Sequence, residues 1–303
     1  MGPVLIFHAG ALGDFVLSWP LLRALKRSGR DVIAAASDGH GLLARRCLGI
    51  RNISTERREV TALWRPGETT AGRDQWRALL DGREPEAVIT FLADDASAGG
   101  TTWLANARSA FAHAQVFIAG PPGSSSRAET WSRFAANELG GVSSLHNPRG
   151  PVVAHVGAGS VSKRWAMHRW SGLVASLRHD GATVDVIAGE VEQEQFDAQE
   201  MALFQGLRGR FLAGLGPLCD VLEQASAFIG ADSGPTHLAA QLGLPTLALF
   251  GPTDPSLWSP VGPQVRVLSP QLPSPMHWLE PDSVRLSLNE LLAADRPGAP
   301  RSN

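Results

Sequence analysis

Three short stretches of this 303-residue chain combine side chains and spacing that suit chemistry. The first is His8-Ala9-Gly10-Ala11-Leu12-Gly13-Asp14, in which two glycines let the backbone approach a ligand and a carboxylate follows. Asp14 reads either as a cap for a following helix or as a general base whose pKa partial burial would raise. The loop is not a dinucleotide fingerprint: Gly10 and Gly13 lack the G-x-G-x-x-G spacing, and Asp38 is a weak stand-in for the acidic residue that closes a second strand. His8 reads as a buried strand residue more readily than as a second polar group at the rim.

The second stretch, His155-Val156-Gly157-Ala158-Gly159-Ser160-Val161-Ser162-Lys163-Arg164-Trp165, joins small residues, hydroxyls and two cations, a composition suited to cradling phosphate. Lys163 is one of only two lysines, the other being Lys26, so a compact charge is wanted there. The stretch is neither a Walker A motif nor G-x-G-x-x-G, which argues against ATP hydrolysis. The third, Ala231-Asp232-Ser233-Gly234-Pro235-Thr236-His237, puts Asp232 or Ser233 at a helix N-cap with free N–H groups suited to a diphosphate. His237 follows Ser233 by one helical turn and is expected on the same face. A hydrolytic Ser-His-Asp triad from these residues is disfavoured, because no G-x-S-x-G elbow surrounds the serine.

Glu190, Glu192 and Glu194 follow a predicted strand and offer three carboxylates for ribose hydroxyls, although acidic residues in a first helical turn are also expected from the dipole. Asp94-Asp95 resembles a metal-binding pair without further ligands, and Cys47 and Cys219 lack metal-ligand spacing, so no metal site is expected. The nine tryptophans, Trp165 and Trp258 among them, read as core or cleft wall.

The elements that must carry these loops alternate. Apolar runs at residues 4–8, 31–36, 87–91 and 115–118 are expected strands, with helices over 15–25, near Gly41 and over 127–139. The second half repeats the pattern, with strands at 152–156, 183–187, 227–229, 246–250 and 265–268. Helices are expected from His168, over 192–204, from Ser233 and over 282–294. Such alternation predicts α/β architecture with parallel sheets. The turn-rich residues 140–151 mark a boundary, giving expected domains 1–145 and 146–303 with a final helix that packs back on the first.

The composition is that of a globular protein, at 44% hydrophobic and 18% charged residues. A net charge of −2 gives no bulk field for nucleic acid. The basic excess lies in residues 1–150 and the acidic excess in the remainder, so an acidic ligand favours the first half. No leader or membrane-spanning run is read, and the expected location is cytoplasmic.

Together, LIFHAGALGDFVLSWPLLRALK, HVGAGSVSKRW and FIGADSGPTHLAAQLGLPTLALFGPTDPSLWSP resemble glycosyltransferase family 9, the ADP-heptose:lipopolysaccharide heptosyltransferases. The resemblance implies a GT-B fold: two Rossmann-like domains with parallel sheets facing a central cleft, acceptor on the N-terminal side and nucleotide-sugar donor on the C-terminal side. It implies Asp14 as catalytic base with Gly10 and Gly13 in its acceptor-side loop. It implies Lys163 on the diphosphate with Gly159 and Ser160, and Asp232, Ser233, Gly234 and His237 at the nucleotide. Glu192 is the choice for the ribose, with Glu190 and Glu194 left open. No cofactor or metal is required, and the partners are an ADP-sugar and a lipid-linked glycan acceptor at the inner membrane surface, where the enzyme would be peripheral. Family members often carry a basic residue where this chain has His8. Arg57, Arg58, Arg65, Arg73 and Arg77 form a basic segment that reads equally as a contact for acceptor phosphates and carboxylates or as a solvated face. The alternatives are another donor or acceptor on the same fold, or a non-catalytic nucleotide-binding scaffold.

Overall fold

The computed structural model describes residues 2–66, 72–93, 95–119 and 147–294. The chain divides into two compact units, 1–124 and 125–303. The boundary expected at 145 and the helix expected over 127–139 lie outside the described residues.

The first unit is a five-stranded sheet in the order β3-β2-β1-β4-β5, formed by β1 (Val4–Phe7), β2 (Val32–Ala36), β3 (Arg51–Ser54), β4 (Ala87–Thr90) and β5 (Gln115–Ile118), and every pairing is parallel. β1 and β2 are buried along their whole length, as expected of apolar runs at the centre of a covered parallel sheet. β3, whose sequence is RNIS, was not foreseen; it lies at the sheet edge with only Ile53 fully buried. The helix expected over 15–25 is two helices, α1 (Leu12–Leu17) and α2 (Trp19–Arg27). They break at Ser18, whose hydroxyl donates to the Phe15 carbonyl at 2.6 Å, while Pro20 supplies no N–H to continue the ladder. Next come α3 (Asp38–Leu48), α4 (Arg58–Ala62), α5 (Gly72–Leu79) and α6 (Ala98–Ala110). The core on one face of the sheet gathers Phe7, Trp76, Trp103 and Phe111, with the two indoles edge-on to Phe7 at 5.7 and 5.1 Å.

The second unit is a six-stranded parallel sheet in the order β11-β10-β9-β6-β7-β8. Its strands are β6 (Val152–His155), β7 (Val184–Gly189), β8 (Arg210–Leu212), β9 (Ala227–Ala231), β10 (Thr246–Leu249) and β11 (Val265–Leu268). Its helices are α7 (Met167–His179), α8 (Glu190–Gln195), α9 (Ala198–Gly206), α10 (Leu215–Glu223), α11 (Gly234–Gln241), α12 (Pro255–Trp258) and α13 (Pro281–Ala294). The helix expected over 192–204 is divided because Asp197 caps a new start, accepting the N–H groups of Gln199 and Glu200. The final helix, expected to return over the boundary, packs against α7, β10 and β11, with Val284 and Leu288 in the core of its own unit. Trp165 and Trp170 belong to that core too, edge to face at 5.0 Å.

In each sheet the strand order reverses direction beside the unit's first strand, between β1 and β4 and between β6 and β9. Crevices at the carboxyl ends of such strands are where open α/β sheets bind ligands. The three sequence stretches follow β1, β6 and β9.

Candidate active site

At the rim of the first unit, β1 runs into His8, and Ala11 is the N-cap of α1 without a side-chain cap bond. Asp14 therefore stands in the first turn of the helix, half-buried, and the cap position belongs to Ala11. Gly10 separates this carboxylate from His8: a Cβ there would lie 2.9 Å from His8 Cε1 and 3.2 Å from Asp14 Oδ2. The Gly10 N–H donates to His8 Nδ1 at 3.2 Å. His8 is buried, and its pKa is lowered to about 4, by burial first and the neighbouring His40 second, against an opposing contribution from the Asp14 backbone. The ring next to Asp14 is thus neutral near pH 7. His40, whose pKa burial also lowers, stacks on Phe15 at 4.6 Å. Gly13 follows as the second residue of α1.

The switch point of the second unit joins the loops after β6, β9 and β10. Lys163 ends a short 3-10 turn, Val161–Lys163, and α7 begins only at Met167. The lysine Nζ donates to Asp232 Oδ2 at 2.7 Å, across 69 residues of sequence. Thr253 donates its hydroxyl to the same oxygen at 2.9 Å, and His237 Nε2 lies 3.6 Å from Oδ1. Burial raises the Asp232 pKa, but the hydrogen bonds from His237, Lys163 and Thr253 and the lysine charge outweigh it, so the carboxyl stays ionised below its ordinary range. Ser233 is the N-cap of α11, and its hydroxyl pairs with Thr236 at 3.1 Å. Thr236 in turn donates to the Ala231 carbonyl. His237 thus serves Asp232, and Ser233 has a different partner, so the residues do not form a serine–histidine nucleophile pair. Gly234 opens α11. Gly159 and Ser160 are exposed on the β6 loop, where Ser160 and Ser162 hydroxyls lie 3.0 Å apart.

Thr253 was not foreseen. Its only sequence signal is its place just past β10 in the third family-like stretch, because contact with Asp232 depends on β10 pairing beside β9.

Glu192 is buried, and its two oxygens accept the N–H groups of Ala158 and Gly189. Glu190 and Glu194 are exposed, and Glu190 lines a cavity of about 130 Å³ with Ile187, Gly189, Leu212, Leu215 and Pro235. That volume is on the scale of a cavity that admits one small aromatic ring, about 150 Å³. Asp94 lies outside the described residues, among which no group of three His, Cys, Asp or Glu side chains is placed to hold a metal ion. Of the five arginines, Arg57 is the N-cap of α4, where it pairs with Glu59, Arg58 opens that helix, and Arg73 and Arg77 lie on α5.

A family model for glycosyltransferase family 9 (heptosyltransferase) matches residues 96–281, well over half of the chain. The chain belongs to this family. Lipopolysaccharide heptosyltransferase 3 of Escherichia coli (strain K12) is 30% identical over 115 residues, which span 36% of this chain and 33% of that protein. The match therefore covers about a third of that curated relative's length. Among solved structures, E. coli heptosyltransferase WaaC with ADP superimposes with a TM-score of 0.65 at 18% identity, covering 95% of this chain and 99% of that one. The glycosyltransferase family 9 protein from Veillonella parvula gives 0.68 at 13% identity, covering 97% and 98%. These likenesses show that the family member has the GT-B fold, built from two parallel-sheet α/β units. Among the described residues, no helix is long and apolar enough to cross a membrane.

Proposed function

We propose that this chain is an inverting glycosyltransferase that moves a heptose from ADP-heptose to a lipopolysaccharide inner-core acceptor. The observation that carries the donor half is the Lys163–Asp232–Thr253 cluster beside the N-terminus of α11, at the switch point of the second sheet. A lysine held on a buried carboxylate and a helix start whose N-cap Ser233 makes no side-chain cap bond suit a diphosphate, which would draw Lys163 toward its own charge. Membership of family 9 and the ADP bound to the WaaC structure support the choice of nucleotide.

In this mechanism Asp14 accepts the proton of the acceptor hydroxyl as that oxygen forms a bond to the anomeric carbon. The bond from that carbon to the β-phosphate oxygen breaks, the electron pair leaves with ADP, and the configuration inverts. Lys163, the Ser233–Gly234 helix start and the hydroxyl and amide groups of Gly159 and Ser160 stabilise the departing diphosphate. His237 and Thr253 act through Asp232, keeping it charged and fixed. Charge neutralisation by these groups makes the transfer independent of a divalent metal, so activity is expected to survive chelation by EDTA. The acceptor reading places the enzyme on the cytoplasmic side of the inner membrane, bound peripherally.

Calorimetric titration with ADP, UDP, GDP and CDP tests the donor before any acceptor is prepared. Preference for ADP is the expected result. Preference for another nucleotide would move the search to another sugar, and no binding of any would overturn the transferase reading.

A further inference from the structure

Lys163, Arg164 and Trp165 are consecutive, yet their side chains leave the turn after β6 for three different elements. Lys163 reaches Asp232 just past β9, and the Trp165 indole donates to the Leu279 carbonyl at 3.1 Å. Arg164 turns to the junction of α8 and α9. Its Nη1 lies 3.6 Å from Glu200 Oε2, and its guanidinium carbon is 5.6 Å from the centre of the Phe196 ring. Phe196, the residue after α8, packs on Phe204 and Phe211 at 5.6 and 6.1 Å, and Phe204 belongs to the core. Glu200 Oε2 also accepts the Asp197 N–H at the start of α9. The anchor of Arg164 is therefore itself fixed, by a ring cluster on one side and a helix cap on the other.

The Arg164 side chain is only 10% exposed, and its Nε and Nη1 are buried without a hydrogen-bond partner. Desolvating a guanidinium and leaving its donors unpaired opposes folding, so stability alone explains this placement poorly. What the placement fixes is the main chain. The Arg164 N–H donates to the Val161 carbonyl and the Lys163 N–H to the Ser160 carbonyl, both at 3.1 Å, so the anchored residue and the lysine share one short turn. A planar guanidinium can lie over a ring and face a carboxylate at once, which an ammonium does less well.

We propose that Arg164 is a positioning residue: held on Phe196 and Glu200, it fixes the turn from which Lys163 meets the donor diphosphate. The proposal rests on the reading of Lys163 as the diphosphate contact. Arg164 acts through Lys163 and meets no substrate itself. A diphosphate that draws the lysine off Asp232 leaves the turn tied down by the next two side chains.

A double-mutant cycle read by ADP affinity tests this, using Arg164→Leu, Glu200→Gln and Lys163→Met in the full chain. Arg164→Leu should weaken ADP by about tenfold, and Glu200→Gln, which keeps an oxygen for the Asp197 N–H, by about threefold. Neither should weaken it further once Lys163→Met is present. The same factor with and without Lys163 would mean a direct contact or a general loss of structure and would overturn the proposal, as would unchanged affinity in both single variants. Hydrogen exchange of the ligand-free protein gives a second readout. The Lys163 and Arg164 amides should exchange faster in Glu200→Gln while those of β6 stay as they were. Glu200 is the more exposed partner, at 29%, so its variant decides the matter if Arg164→Leu does not fold. If Lys163→Met binds ADP too weakly to close the cycle, the exchange rates decide it, and unchanged rates overturn the anchor. Failure of the unchanged protein to bind ADP would overturn the donor reading instead, and the exchange result is independent of it.

Discussion

Burial holds His8 at a pKa of about 4, so at neutral pH the ring across Gly10 from Asp14 carries no charge. That ring therefore places no positive charge beside the group to which the removal of the hydroxyl proton is assigned. Asp14→Asn keeps the size and removes the basicity. It should lower transfer by at least about a hundredfold while ADP affinity is unchanged; transfer at the original rate would remove Asp14 from the mechanism. The same burial of His8 sets a stability trend. Its folded pKa lies below the unfolded value of 6.5, so the unfolded chain binds the proton first and stability falls as pH drops from about 6.5 toward 4. His40 and His155 are shifted the same way. Asp232 has the opposite sign: its stabilisation is present above the usual aspartate pKa and is lost only at more acid pH. Urea midpoints at pH 7.5 and 4.5 should show His8 contributing about 2 to 3 kcal/mol to the fall. His8→Asn, which can still accept the Gly10 N–H, should flatten that part of the curve, and an identical fall in both proteins would refute it.

At the scale of elements, strands end where loops of small residues begin, and the tightness of those junctions is uneven. Gly230 in β9 is closed in by a side chain of its own strand and by α11: a Cβ would lie 2.7 Å from Phe228 Cε1 and 2.8 Å from Thr236 Oγ1. Thr236 ties α11 to β9, so the strain of Gly230→Ala is transmitted to the helix that begins at Gly234. The expected cost is about 1 to 3 kcal/mol, read as a lower denaturant midpoint. Gly159→Ala meets nothing within 4 Å and should leave the midpoint within about 0.5 kcal/mol. Equal midpoints for the two variants would contradict this contrast. The same elements show what the sequence discloses. β1, β6 and β9 were legible because they are wholly buried apolar runs followed by glycine. β3 and β8 were not, being three- or four-residue edge strands with little buried surface and therefore no periodic signal. Helix breaks at Ser18 and Asp197 depend on one or two local side-chain bonds that compete with the helical ladder, and hydrophobic spacing continues through them. Asp232 and Lys163 were found as types in loops, but their pairing, and the arrival of Thr253, follow from strand order. The three glutamates could not be separated by sequence, because their difference lies in which backbone N–H groups they reach.

At the scale of the whole molecule, each unit has its own sheet and its own buried cluster, one around Phe7, Trp76 and Trp103 and the other around Trp165, Trp170 and Leu173. Two cores of this kind allow a ligand to stabilise one unit directly, by binding its folded form and not its unfolded one. If the donor nucleotide binds at the ends of β6 and β9, the free energy of binding appears first as slower opening of the elements that build that switch point. At a free ADP concentration about a hundred times the dissociation constant, the gain is about 2.7 kcal/mol. Hydrogen exchange with and without ADP should therefore show its greatest added protection in β6, β9, β10 and the first turn of α11. The interiors of β1 and β2, which are held by a separate core, should change least. Protection concentrated in the first unit would place the nucleotide on the wrong rim and would transfer the anion-binding role from Lys163 to the arginines of α4 and α5. Added protection that persists in Asp14→Asn would leave the base to the chemical step alone.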